Sequence, residues 1–362
     1  MQKNQWLMPL SHQNDFHFSP SPRDFIVEEI PLYEWAGEGE HLILFVRKKE
    51  LTTWEMVKVI AEHLGIKQRE IGYAGLKDKH AMTMQYLSLP AKHEAALSAF
   101  SHEKIKILSI TRHSNKLRIG HLKGNRFSLR FKKVLGIQQA KLESVLDWIE
   151  GNGVPNYFGY QRFGMHGDNG QRGQEIAEGV RRERDRRTRE FLLSAYQSKL
   201  FNDWLSRRIE ISRLLETFTE AEAEKVAGLP VGTLTDTRRQ KHFFKILAGD
   251  VMMHYPYGRI FHAEEVAEEA AKFERRDRVP TGLIPGGKVK RAETASREVE
   301  IGYDVQIPEN GSRRYAWIFP TDIVRKYVQE KAQYELSFSL PKGAYATNVV
   351  DLLLGTYGNR DG

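Results

Sequence analysis

Apolar side chains recur at every second position over Phe127, Leu129 and Phe131, and the same beat returns at Tyr334, Leu336, Phe338 and Leu340. Period-two alternation describes a strand with one face in a core. The second run is best explained as completing a sheet begun in the first part of the chain. The long middle, charged and mostly helical in pattern, is then an insertion. That order restricts the fold to a sheet built from both ends of one chain, with a second body between them.

The first part fits this frame. Strands are expected at residues 25–30, 41–46, 105–110, 117–119 and 126–131. A helix is expected at 53–64, where Thr52 and Glu55 have capping-box spacing and Gly65 stands where a C-terminal cap belongs. Trp54, Val57, Ala61 and Leu64 would share its buried face. With a second helix at 140–149, the pattern is that of an α+β sheet domain rather than a regular βαβ repeat. Further helices are expected at 191–208, 214–227, 263–275 and 347–354. The arginine-rich segment 181–189 is suited to phosphate contacts, but its interleaved Glu183 and Asp185, with Glu190 beyond, also fit a solvated, salt-bridged helix face.

Composition narrows the chemistry. The 362 residues include no cysteine, which excludes disulfides, thiolate catalysis and Cys-based zinc sites, those of the zinc-dependent base deaminases among them. The 13 histidines show no His-Glu-x-x-His spacing, so a zinc hydrolase has no support. Residues 282–288 imitate the start of a P-loop, but Val289 stands where a hydroxyl should bind Mg²⁺. A net charge of +8 favours a polyanionic partner. No apolar run is long enough to span a bilayer, and the N-terminus lacks the pattern of a signal peptide, so the cytoplasm is expected.

One short segment stands out chemically: Gly72-Tyr73-Ala74-Gly75-Leu76-Lys77-Asp78-Lys79-His80. Lys77 and Lys79 flank a single carboxylate, and the two glycines permit a tight turn or a close backbone approach. An ionised, positioned carboxylate can serve as nucleophile, general base or metal ligand. An Asp in such a turn also commonly just bonds its own backbone. Spacing alone leaves both readings open.

The segment from Ala74 to Thr83 resembles the signature of the TruD family of pseudouridine synthases, whose Asp is the catalytic nucleophile. Four further segments resemble the family in the same order: Arg23-Asp24-Phe25-Ile26-Val27-Glu28-Glu29, Lys123-Gly124-Asn125-Arg126-Phe127, the stretch from Gly153 to Gly164, and the stretch from Leu340 to Thr347. The resemblance spans nearly the whole chain. It implies a mixed, mainly antiparallel pseudouridine-synthase sheet core with helices, formed by residues 1–151 and 319–362. An inserted family-specific α/β domain would occupy 152–318. It also implies an isomerase that converts uridine 13 in the D-arm of tRNA to pseudouridine, with Asp78 as nucleophile and neither cofactor nor metal required.

By the same resemblance Phe25, Asn125 and Tyr345 fall around the substrate, although the family's usual residue at the last position is Phe. Phe127, two residues along the strand from Asn125, would be the apolar wall. A cation is expected opposite the nucleophile. Arg23, Lys77 and Lys79 are the candidates, and Arg23 is the working choice. Asn156 and Arg162 lie in a glycine- and aromatic-rich segment that fits an RNA contact or a hinge. The expected partner is tRNA, the expected state a monomer. A non-catalytic tRNA-binding or RNA-folding protein is the alternative, and a methyltransferase is disfavoured because no convincing glycine-rich cofactor turn is found.

Overall fold

The computed structural model describes residues 16–79 and 81–355. The N-terminal segment and His80 of the glycine–lysine motif lie outside the described residues. The first part of the chain runs β1 (Phe25–Pro31), β2 (His41–Lys48), α1 (Thr53–Leu64), β3 (Gly72–Tyr73), β4 (Met82–Pro90), α2 (Glu94–Leu97), β5 (Ile105–His113), β6 (Leu122–Lys132) and α3 (Gly136–Asn152). Next come β7 (Val154–Pro155), α4 (Asn169–Ala177), α5 (Arg186–Thr217), α6 (Glu220–Ala227), β8 (Val251–His254), β9 (Ile260–His262) and α7 (Val266–Glu274). The last elements are β10 (Arg278–Ile284), α8 (Thr294–Glu300), β11 (Ser312–Tyr315), β12 (Trp317–Ile318), β13 (Thr321–Val328), β14 (Gln333–Pro341) and α9 (Ala346–Leu354).

An eight-stranded sheet has the order β13-β14-β6-β1-β4-β2-β5, with β3 paired to β4. Only β1 and β4 run parallel among its pairs. The late strand does join the early sheet: Phe338 lies opposite Phe127, Leu336 opposite Leu129, and Tyr334 opposite Phe131. The alternating residues of both strands are buried. A four-stranded antiparallel sheet, β11-β10-β8-β9, and the short pair β12-β7 complete an α+β fold. None of the described helices is long and apolar enough to cross a membrane.

The chain forms two compact units. One contains residues 16–143 with Pro320–Gly343 and carries the eight-stranded sheet; the other contains Ser144–Phe319 with residues 344–355. In the first, α1 begins at a complete capping box between Thr52 and Glu55 and ends on Gly65 in the left-handed conformation. Its buried stripe is Met56, Val57, Ile60 and Ala61, packed on Leu42, Leu44 and Val46 of β2. The stripe is turned from the expected one, for Trp54 is 56% exposed and meets the ring of Tyr73 edge-on. In the second unit, Arg208 of α5 is fully buried and clasps Asp250 with both terminal nitrogens at 2.6 and 2.8 Å.

Three local readings are corrected. Residues 117–119 form no strand; the Leu117 N–H donates to Ser88 Oγ instead, and Ile119 is exposed in a turn. The helix expected at 214–227 is two helices, because Thr219 and Glu222 form a capping box that starts α6 afresh. The arginine-rich segment is irregular up to Asp185, which caps α5, so only its last part is helical. The P-loop imitation lies partly inside β10, where Gly282 sits against the rings of Trp204 and Phe201.

Candidate active site

Directly opposed residues in neighbouring strands point to the same face of a sheet. The register therefore lays out one face of the eight-stranded sheet as two rows. Lys48 opposes Thr83, Thr83 pairs with Val27, Val27 opposes Phe127, and Phe127 opposes Phe338. In the next row, Val46 opposes Gln85, Glu29 opposes Asn125, and Asn125 opposes Leu340. Helix α1 covers the β2 and β4 end of this face.

Asp78 is half-buried in the loop between β3 and β4, and that loop is tied to the same face by polar bonds. The Lys77 ammonium reaches Glu29 at 2.6 Å, both side chains being almost fully buried. The Lys77 N–H donates to Thr53 Oγ1 at 2.9 Å, and that hydroxyl donates to Gln85 Oε1 at 3.0 Å. Gln85 in turn donates to the carbonyl of Gly75 at 3.4 Å. The Lys48 ammonium donates to the carbonyl of Asp78 at 2.8 Å and to that of Leu51 at 2.7 Å. Four elements thus tie down a four-residue stretch, 75–78.

The electrostatics follow from burial. Glu29's carboxyl is pushed up by its loss of water, an effect the adjoining Lys77 only partly offsets. Burial drives the Lys48 ammonium down to about 8, and the negative field of Asp78 is the largest influence holding it up.

Beside the loop's attachment points the face is aromatic and carries buried oxygens without a hydrogen-bond partner among the described residues, Thr83 Oγ1 and Asn125 Oδ1 among them. Phe25 stacks on Phe127 with centroids 6.3 Å apart and planes 12° apart, and Phe127 meets Phe338 at 5.6 Å. Asn125 Oδ1 is buried and has no hydrogen-bond partner among the described residues. A buried acceptor left unpaired costs free energy that a ligand N–H would return. The three candidate cations differ in their places. Lys77 is committed to Glu29, Lys79 stands 3.9 Å from Glu55 in an exposed pair, and Arg23 is exposed in the turn before β1.

Tyr345, Asn156 and Arg162 belong to the other unit. There the Arg314 guanidinium lies over Phe158 at 4.0 Å and faces Tyr345 at 5.7 Å, while its N–H groups donate to the carbonyl and side-chain oxygen of Asn156. Asn156 donates its own amide to the Tyr315 carbonyl. Arg162 bonds Ser198 and Ser194. Asn156 is buried and Arg162 half-buried, both bonded within that unit, and Tyr345 is half-buried against Phe158.

Lys48, Thr53 and Gln85 were not among the residues singled out from sequence. A signal for Lys48 was present: it has the same parity as Leu42, Leu44 and Val46, which predicts the buried face. A hollow of about 990 Å³ runs along the β2 and β5 edge, lined by Arg47, Lys48, Lys49, Phe100 and Lys104 among others; Asp78, Asn125 and Phe127 do not line it.

The chain as a whole has counterparts among known proteins. The family model described as tRNA pseudouridine synthase D (TruD) matches residues 16–183 and 171–351. The tRNA pseudouridine synthase D of Sulfurimonas denitrificans is 53% identical over 94% of this chain and 96% of its own length. That of Wolinella succinogenes is 52% identical over 94% of each chain. A crystal structure of a putative tRNA pseudouridine synthase D from Methanosarcina mazei shares the fold, with a TM-score of 0.70 at 20% identity over 98% of this chain and 96% of that one. This chain belongs to the TruD family.

Proposed function

We propose that this chain is a tRNA pseudouridine synthase that isomerises uridine 13 of the D-arm, with Asp78 as its nucleophile. The observation that carries the reading is the Asp78 loop, fixed by buried bonds to the sheet face that bears Phe127 and the unpaired Asn125. In the reaction the bond between uracil N1 and ribose C1′ breaks, the uracil turns, and C5 bonds to C1′. The hydrogen on C5 leaves to solvent and N1 gains one, so nothing is oxidised. Asp78 either attacks C1′ or takes a sugar proton to give a glycal, and both routes begin from its carboxylate. Asn125 Oδ1 is suited to accept an N–H from the base edge. Phe25 and Phe127 supply an apolar surface for a base taken out of its stack. The catalytic body is the unit with the eight-stranded sheet, and the enzyme works as a cytoplasmic monomer on tRNA.

Tritium release from tRNA labelled at uridine C5 tests this directly. Release by the wild type, mapping to position 13, and none by Asp78→Asn is the expected result. Tight tRNA binding without release by either protein would favour the non-catalytic reading. Equal release by both would remove Asp78 from the role.

A further inference from the structure

A fully buried ammonium with no carboxylate bonded to it is an expensive thing for a fold to keep. Lys48 is such a group: its side chain is inaccessible, it ends a strand of core residues, and both of its hydrogen bonds go to main-chain carbonyls. One carbonyl belongs to Leu51, in the connection between β2 and α1, and the other to Asp78 itself. A methionine or leucine would pack the same position without desolvating a charge. Local rules broken at a cost tend to mark functional positions.

We propose that Lys48 is the positioning residue of Asp78: its buried ammonium holds the main chain of Asp78 against the end of β2 and so fixes where the carboxylate stands. The inference rests on Asp78 being the nucleophile. The bond from Lys48 falls on Asp78's own main chain. Those of Lys77 and Gly75 secure residues one and three positions earlier. The groups facing Lys48 are consistent with this task. Asp78 and Glu55 of α1 stabilise its charge and Lys77 opposes it, while β4 presents the uncharged Thr83. Lys48 touches no reacting atom in this scheme; it acts through the nucleophile.

The absence of cysteine from the chain makes a clean test available. Lys48→Cys carries the only thiol. Alkylating it with 2-bromoethylamine in urea, then refolding, builds a side chain with lysine's number of atoms and its terminal ammonium. Wild type taken through the same cycle is the control. Tritium release is measured in single turnover alongside tRNA affinity. A nucleophile displaced by about 1 Å costs on the order of 10²-fold in rate. The expected result is such a loss in Lys48→Cys, with tRNA affinity held within about two-fold, since only the chemical step is affected. Aminoethylation restores most of the rate.

Wild-type rate in the unmodified cysteine variant would overturn the proposal. So would a folded aminoethylated protein whose rate stays low, or a loss confined to tRNA affinity. If the cysteine variant does not fold, Lys48→Met keeps the apolar stem and is assayed in its place. Failure of both to fold would also overturn it, because Lys48 would then hold the domain and not the loop. No tritium release from the wild type itself would refute the functional reading instead, a result distinguishable from all of these.

Discussion

Lys77→Met removes one half of an ion pair whose side chains are 5% and 1% exposed and whose charged atoms lie 2.6 Å apart. At an effective dielectric of about 20, two charges at that separation attract by roughly 6 kcal/mol. Desolvating each ion takes back several kcal/mol, so the intact pair adds little net stability. Removing only the lysine is different, because Glu29 is left buried and alone, at a cost of about 3–5 kcal/mol. The pH dependence has a definite sign. Glu29's folded pKa already lies above its ordinary value, and without Lys77 it lies higher still. Between the unfolded and folded values the native state holds the extra proton, so stability falls as pH rises through that window. Urea unfolding of the wild type, Lys77→Met, Glu29→Gln and the double variant at about pH 5 and about pH 8 measures this. The single lysine variant is expected to lose about 3 kcal/mol at the higher pH and distinctly less at the lower. The double variant should recover most of the loss. An equal loss at both pH values, or a double variant as unstable as the single one, would refute the reasoning.

Asn125→Ala takes away the unpaired acceptor and is expected to lower kcat/KM by roughly tenfold while leaving the melting temperature near that of the wild type, as read by tritium release and thermal denaturation. Thr52→Ala breaks the capping box of α1 and should cost about 1 kcal/mol in urea unfolding. His242 is buried and neutral, its Nε2–H donating to the Asn152 carbonyl and its Nδ1 accepting from the Phe244 N–H, and burial drives it down to about 4. Its unfolded form binds a proton first, so stability is expected to fall by roughly 3 kcal/mol as pH drops from about 6.5 to about 4. His242→Gln should flatten that part of the stability curve.

What could be read from the sequence depended on how local its cause was. Helix α1 was legible to the residue because Thr52, Glu55 and Gly65 are adjacent signals that act on neighbouring backbone groups. Its buried stripe was misjudged because the sheet beneath decides which arc of a helix is covered, and Trp54 was placed inside on periodicity alone. The break before α6 had a visible sign in Thr219 and Glu222, overridden by the apolar pattern running through it. Apolar Leu117 and Ile119 suggested a strand, but Gly120 turns the chain there with a positive φ. Asp78, Phe25 and Asn125 were singled out through motif resemblance, and Phe127 through its two-residue spacing from Asn125. The support beneath Asp78 could not be located that way. Lys48, Thr53 and Gln85 come together only through strand register and the loop's path over the sheet.

The pairing of β6 with β14 has a consequence for the chain's birth. About 200 residues separate Lys132 from Gln333, so the ribosome must make all of them before β6 can meet its neighbour. At common synthesis rates that is roughly 10–40 s, during which one side of β6 offers unpaired backbone N–H and C=O groups. The intervening residues include Ser144–Phe319, the larger part of the second unit with its own sheet and buried ion pairs, whereas residues 344–355 of that unit follow β14. Translation speed through the inserted segment therefore sets how long an adhesive strand edge is on display to other nascent chains. A slow message would shift this protein toward aggregation without altering a single residue.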